Sequence, residues 1–164
     1  MTDQTVATRI QHVFRSMNEG DYENSLFQLM PAVDATARKR YPTQGVGQRF
    51  KAFLEDEGEL VIGISTSCIG PFPIMNGKTV PHLIYKYARC TIAHGDPVDN
   101  RMQVSETDGI CFDTTDGQER LFLTPAFIVG LIGAVMLAPE NSDQHLTDPN
   151  WNFRIRGTNN EANS

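Results

Sequence analysis

The sequence predicts a mainly α-helical single domain with a small antiparallel β element inserted before its last helix. Three observations predict it. Apolar residues recur at helical spacing through most of residues 3–94. Residues 101–123 then change character, alternating in polarity and containing Asp-Gly twice. Finally, the run AFIVGLIGAVMLA (126–138) is apolar throughout but only thirteen residues long. That is too short to span a bilayer and reads as a buried helix.

Each element follows from local chemistry. Val6, Ile10, Val13, Phe14 and Met17 define a first helix over 3–19, stopped by Gly20. Asp21 is suited to cap a second helix, with Leu26, Leu29, Met30, Val33 and Ala37 on one face. Pro31 predicts a kink or a split in it, and Tyr41-Pro42 its end. A short third helix carries Val46, Phe50, Phe53 and Leu54 inward, with Gly58 after it. The stretch ELVIGIS fits helix or strand, and GPFPIMNG reads as a loop. Thr79 and Pro81 open a fourth helix over 79–94. Its inward face is Val80, Leu83, Ile84, Tyr87, Ala88 and Thr91. Its other stripe is His82, Lys86, Arg89 and Ala93, and Gly95 is its stop. Antiparallel strands are expected near 101–105, 109–113 and 119–123, then a last helix from Thr124-Pro125. Gly130 and Ala134 lie four apart on it, small enough for close helix packing. Residues 1–141 form the domain, and 142–164 read as a polar, partly disordered tail in which Trp151, Phe153 and Ile155 are available to dock.

Composition narrows the function. With 164 residues, 40% hydrophobic and 21% charged, the chain is long and apolar enough to fold around one core. The net charge of −6 argues against broad non-specific nucleic-acid binding. Most of that charge sits in residues 96–120, which hold seven acids against Arg101 and Arg120. This segment is expected to lie away from any phosphate-binding face. Outside it, Arg38, Lys39, Arg40, Arg49, Lys51, Lys86 and Arg89 form either a local basic surface or ordinary solvated faces. Cys68, Cys90 and Cys111 show no metal spacing and predict reduced thiols in a cytoplasmic setting. No P-loop, GxGxxG, HExxH or GxSxG occurs. No metal or other cofactor is called for.

One pair of residues invites chemistry: Arg89 and His94 at the end of the fourth helix. The spacing alone is worth little in a chain with ten arginines and four histidines. Its context adds weight, because Arg89 lies on the polar stripe of an apolar helix and His94 in the last turn. The plain alternative is a helix-end histidine and a surface arginine. Asp34 is a further candidate. It sits beside buried positions of the second helix, where a carboxylate seeks a partner. Arg38 is available at i+4; the sharper expectation is that Asp34 reaches Arg89 or His94 and orients it.

The stretch Arg89-Cys-Thr-Ile-Ala-His94 at the end of a long helix resembles the HEPN superfamily. The blocks DATARKRYPTQGVGQRFKAFL (34–54), IYKYARCTIAHGD (84–96) and FIVGLIGAVMLAPEN (127–141) resemble a group of bacterial HEPN-like proteins. The resemblance implies a helical bundle acting as a homodimer, its two motif helices facing each other. It further implies a metal-independent endoribonuclease of the kind found in toxin–antitoxin and antiphage systems. Some members of the superfamily are instead inactive binding modules that engage a nucleotide or a partner protein. By motif position, His94 is general acid/base on the ribose 2′-hydroxyl and Arg89 stabilises the charged phosphorane. Lys86, Cys90 and Asp34 are the supporting residues. Cys90 departs from the pattern, since active members commonly carry Asn, Asp or His after the arginine, and a thiol is a poor hydrogen-bonding substitute.

Overall fold

The computed structural model describes residues 5–106 and 109–144. Its architecture is mainly α. Helix α1 (Val6–Asn18) is capped by Thr5, whose hydroxyl accepts from the Thr8 N–H, and it packs along α2 (Tyr22–Arg40). Asp21 caps α2 by accepting from the Asn24 N–H at 3.0 Å. Pro31 lies inside α2 without splitting it. The buried neighbours Met30, Ala32 and Val33 hold the helix together where proline removes one backbone donor.

Helix α3 (Val46–Asp56) runs almost directly into α4 (Gly58–Thr66), so ELVIGIS is helical. Gly58 is not a stop. It is buried beneath Phe72, whose ring a Cβ at this position would meet at 3.1 Å. The expected loop at 70–77 contains a minimal hairpin, β1 (Ile74–Met75) with β2 (Lys78–Thr79). Asn76 and Gly77 turn it with φ of +50° and +73°, as two-residue hairpins require.

The fourth predicted helix is present but irregular. Helix α5 (Val80–Ile84), a π-helical turn (Tyr85–Arg89) and α6 (Cys90–Ala93) follow one another without a break. Thr79 caps the start by accepting from the His82 N–H, and Gly95 closes the end with φ +82°.

The β insertion is three-stranded, in the order β3-β5-β4. Strand β4 (Cys111–Asp113) pairs antiparallel with β5 (Arg120–Leu123), but β3 (Met102–Val104) pairs parallel with it. This corrects the all-antiparallel expectation. The chain passes from β3 through β4 before returning as the central strand β5, so β4 supplies the crossover that parallel pairing needs. Met102, Leu121 and Leu123 turn inward from it.

Helix α7 (Pro125–Leu137) is the centre of the core and packs mainly on α4. Phe127, Gly130, Leu131, Ala134 and Val135 are all buried within the single chain. A Cβ on Gly130 would meet the Val61 carbonyl oxygen at 2.8 Å. The small-residue face therefore serves α4 and is not free for a second copy. Phe50, Phe53, Tyr87 and Phe127 are fully enclosed, each worth about 1.5–3 kcal/mol of burial. Asn141, just beyond α7, is buried and donates to Thr36 and to the Val135 carbonyl. No helix among the described residues is long and apolar enough to cross a membrane. Trp151, Phe153 and Ile155 lie outside the described residues.

Candidate functional site

The site is built where α2, α3 and the π turn meet. Tyr87 and Ala88 are anchored in the core, which leaves Tyr85 and Arg89 on the side turned to α2 and α3. Arg89 donates from Nη2 to Asp34 Oδ2 at 3.0 Å. Arg49 donates from Nε and Nη2 to Asp34 Oδ1, both at 3.4 Å. Asp34 thus binds two guanidiniums on different elements. Arg38, its available partner within α2, is exposed and forms no ion pair among the described residues. All three side chains are about one-fifth exposed or less, so their attraction is only partly screened.

Tyr85 forms the wall of this cluster. The Arg89 guanidinium and the Lys51 ammonium each lie 5.8 Å from its ring centroid. Its ring also packs at a tilt on Phe50. Gly47 makes room for it, since a Cβ there would meet the Tyr85 ring and hydroxyl at 2.8 Å. Burial, and then the neighbouring Cys90 thiol, push the Tyr85 phenol above its ordinary value. Cys90 is a free thiol, half-buried, immediately after the motif arginine.

The remaining candidates lie apart from Asp34. His94 is the exposed C-terminal cap of α6, its N–H donating to the Cys90 and Thr91 carbonyls. Its imidazole makes no hydrogen bond or ion pair among the described residues. An α-helical rise puts it about 7.5 Å beyond Arg89 along the axis. Lys86 points to the other face, over the Tyr87 ring at 5.3 Å. The structure brings together Asp34, Arg89 and Cys90, and leaves Lys86 and His94 outside that cluster.

The acidic insertion docks on the Tyr87 face, roughly opposite Arg89 around the helix. The Asp99 N–H donates to the Tyr87 carbonyl at 2.9 Å, and Arg101 stacks on the Tyr87 ring at 4.6 Å. Glu119 accepts from the Tyr87 hydroxyl at 3.1 Å and from Lys78 at 2.6 Å. Hydrogen bonding to Arg101 lowers the Asp99 carboxyl, and Lys78 lowers that of Glu119. Asp113 and Asp116 both pair with Arg120. Asp99, Asp113 and Asp116 are thus paired within the segment, and Glu119 with Lys78 outside it.

The basic surface divides in the same way. Arg40 is committed to Glu57 at 2.7 Å and Glu140 at 2.8 Å, and Lys39 to the Glu140 carbonyl at 3.0 Å. Arg49, Lys51 and Arg89 remain as one cluster opposed by a single carboxylate. Arg49 and Tyr85 are the site residues that the motif does not mark. Arg49 carries no spacing signal relative to Asp34, and Tyr85 reads as one more aromatic beside a helical core stripe. No group of three or more His, Cys, Asp or Glu side chains placed to hold a metal ion occurs among the described residues.

The arrangement can bind an anion. Two guanidiniums hold one carboxylate and an ammonium lies over the adjacent Tyr85 ring, and guanidinium N–H groups not directed at Asp34 can donate to phosphate oxygens.

Comparison with known proteins adds kinship without an activity. The chain is 26% identical over 156 residues to the uncharacterized protein Mb1320 of Mycobacterium bovis, covering 86% of this chain and 71% of the relative. The same figures hold for the uncharacterized protein Rv1289 of Mycobacterium tuberculosis. No solved structure matches. The family model Rv1289 matches residues 5–160, which takes in every described element, and the chain belongs to the Rv1289 family.

Proposed function

We propose that this protein is a HEPN-like RNA-cleaving module in which Arg89 and His94 act on the RNA backbone without a metal ion. The carrying observation is the Asp34–Arg89 pair at 3.0 Å, with Arg49 on the other carboxylate oxygen. A guanidinium held by a neighbouring helix is already oriented and keeps donors for a phosphate. In the reaction, His94 takes the proton of the ribose 2′-hydroxyl, which attacks the adjacent phosphorus. Arg89 stabilises the charge on the phosphoryl oxygens, the bond from phosphorus to the 5′-oxygen breaks, and the proton held by the His94 imidazolium passes to that leaving oxygen.

This reading carries a homodimer. His94 is exposed at a helix end about 7.5 Å along the axis from Arg89, and a second motif helix across a two-fold axis would complete the groove. The face for that contact is not Gly130/Ala134, which is used within the chain. A toxin–antitoxin or antiphage role belongs to the same reading. A second reading, an inactive dimeric module that binds a nucleotide or a partner protein, is favoured by Cys90. Its free thiol stands where active members of the HEPN superfamily commonly carry Asn, Asp or His.

The test is incubation with a pool of single-stranded RNA in excess chelator. Products ending in 2′,3′-cyclic phosphate and 5′-hydroxyl support cleavage. Binding without products supports the second reading, and the absence of both cleavage and binding in the folded protein removes the RNA proposal.

A further inference from the structure

The proposed function assigns Arg89 and His94 to the RNA backbone and gives no role to Arg49, Lys51 or Tyr85. Their placement is specific. Arg49 and Lys51 lie two apart on α3 and still converge on the same neighbourhood, one at Asp34 and one at the Tyr85 ring. Arg89 touches both Asp34 and Tyr85, so it joins the two halves. A side chain at Gly47 would displace the Tyr85 ring, which a Cβ there would meet at 2.8 Å.

Charge identifies the ligand class. Arg49, Lys51 and Arg89 against Asp34 leave two positive charges in a chain whose net charge is −6. An RNA backbone phosphate is a diester and carries one negative charge. A terminal phosphate is a monoester and carries close to two above its second ionisation, near pH 6. We infer that Arg49 and Lys51, beside Asp34 and Tyr85 and next to Arg89, form a pocket for a phosphomonoester, the terminal phosphate of an RNA strand. Arg49 donates to its oxygens with the N–H groups not used on Asp34, Lys51 adds a second cation from beside the ring, and Arg89 is left to the backbone phosphate. Such a pocket sets which end of a strand the protein holds and so where Arg89 and His94 fall along it.

The inference rests on the RNA reading only for what carries the phosphate. The experiment compares one octaribonucleotide with a 5′-phosphate, with a 3′-phosphate and with hydroxyl at both ends, and AMP as a free monoester. Binding is measured by calorimetry with the full-length protein. One phosphorylated form is expected to bind about tenfold tighter than the hydroxyl form at pH 7.5, roughly the value of one added charge-assisted contact. That advantage should shrink at pH 5.5, where the monoester loses charge. Lys51→Gln should abolish it; this residue contacts only the ring, so its loss tests the pocket without breaking the Asp34 pairs. Arg49→Gln should do the same. Equal binding of all three oligonucleotides, unchanged in both variants, overturns the pocket and leaves the RNA proposal intact. Tight AMP binding with no affinity for any oligonucleotide keeps the pocket and removes RNA. No binding of any probe overturns both.

Discussion

Asp34 on α2 holds Arg89 on the π turn at 3.0 Å, closing a contact between residues 55 apart in sequence. Its other oxygen faces Arg49 from α3 at 3.4 Å. One carboxylate therefore ties together three elements and fixes the direction of the motif arginine. A positioning role and a purely structural role make different predictions for its removal.

Asp34→Asn keeps the size and removes the charge. Unfolding stability should fall by about 1.5–3 kcal/mol, the usual worth of a hydrogen bond to a charged group. RNA cleavage should fall about tenfold or more, because Arg89 loses its brace. RNA affinity at low salt should not fall, because a negative charge has left the cluster. Loss of stability with unchanged cleavage would make Asp34 an ordinary ion-pair partner.

Gly47→Ala should destabilise the fold by about 1–3 kcal/mol, the usual cost of overpacking. The added methyl meets Tyr85 at 2.8 Å. In a Tyr85→Leu background the same substitution should cost much less. A double-mutant cycle by urea denaturation measures the coupling; a value near zero would mean that Gly47 does not support Tyr85.

Gly130→Ala should also destabilise by about 1–3 kcal/mol, since the clash is with the backbone of Val61 and cannot be relieved by a rotamer change. Light scattering should show no change in oligomeric state. Dissociation of a dimer at unchanged subunit stability would return this face to a subunit contact.

These positions show what the residues alone could reveal. Caps such as Thr79, Thr124 and Asp21 are local signals, and each makes the expected hydrogen bond. The core stripe Val80, Leu83, Ile84, Tyr87 and Ala88 is likewise local and buried. The π turn is not encoded by periodicity, because one extra residue in a turn leaves the apolar pattern nearly unchanged. The parallel β3–β5 pairing depends on a crossover between strands, which no local alternation can specify. Gly130 and Ala134 signal close packing without naming the partner, and α4 proves to be it. The basic surface reads as one patch in sequence. Only packing assigns Arg40 to Glu140 and Arg49 to Asp34.

Acid should release the bond that ties the chain after α7 to α2. Hydrogen bonding to Arg40 lowers the Glu140 carboxyl from 4.5. A folded-state value below the unfolded one means that the pair stabilises above about pH 4.5 and loses that contribution as pH falls through the lowered value. Glu140→Gln should therefore be less stable than wild type at pH 7, and the gap should narrow as pH falls below 4.5 and close once it has passed the lowered value. Thermal melts across pH 3–8 check this; a gap constant with pH would mean that Arg40 draws nothing from the charge.

The most direct measurement of the central claim is single-turnover cleavage of one single-stranded RNA in chelator by wild type, Arg89→Lys and His94→Ala. Both variants must first show unaltered circular dichroism. The account predicts measurable cleavage by wild type and a loss of about 100-fold or more in His94→Ala, the scale of a removed general acid–base. Arg89→Lys should also lose most activity, because an ammonium cannot reproduce the forked geometry held by Asp34. Wild-type cleavage and binding that survive intact in both variants would contradict the account, and Arg89 and Asp34 would then be a structural pair alone.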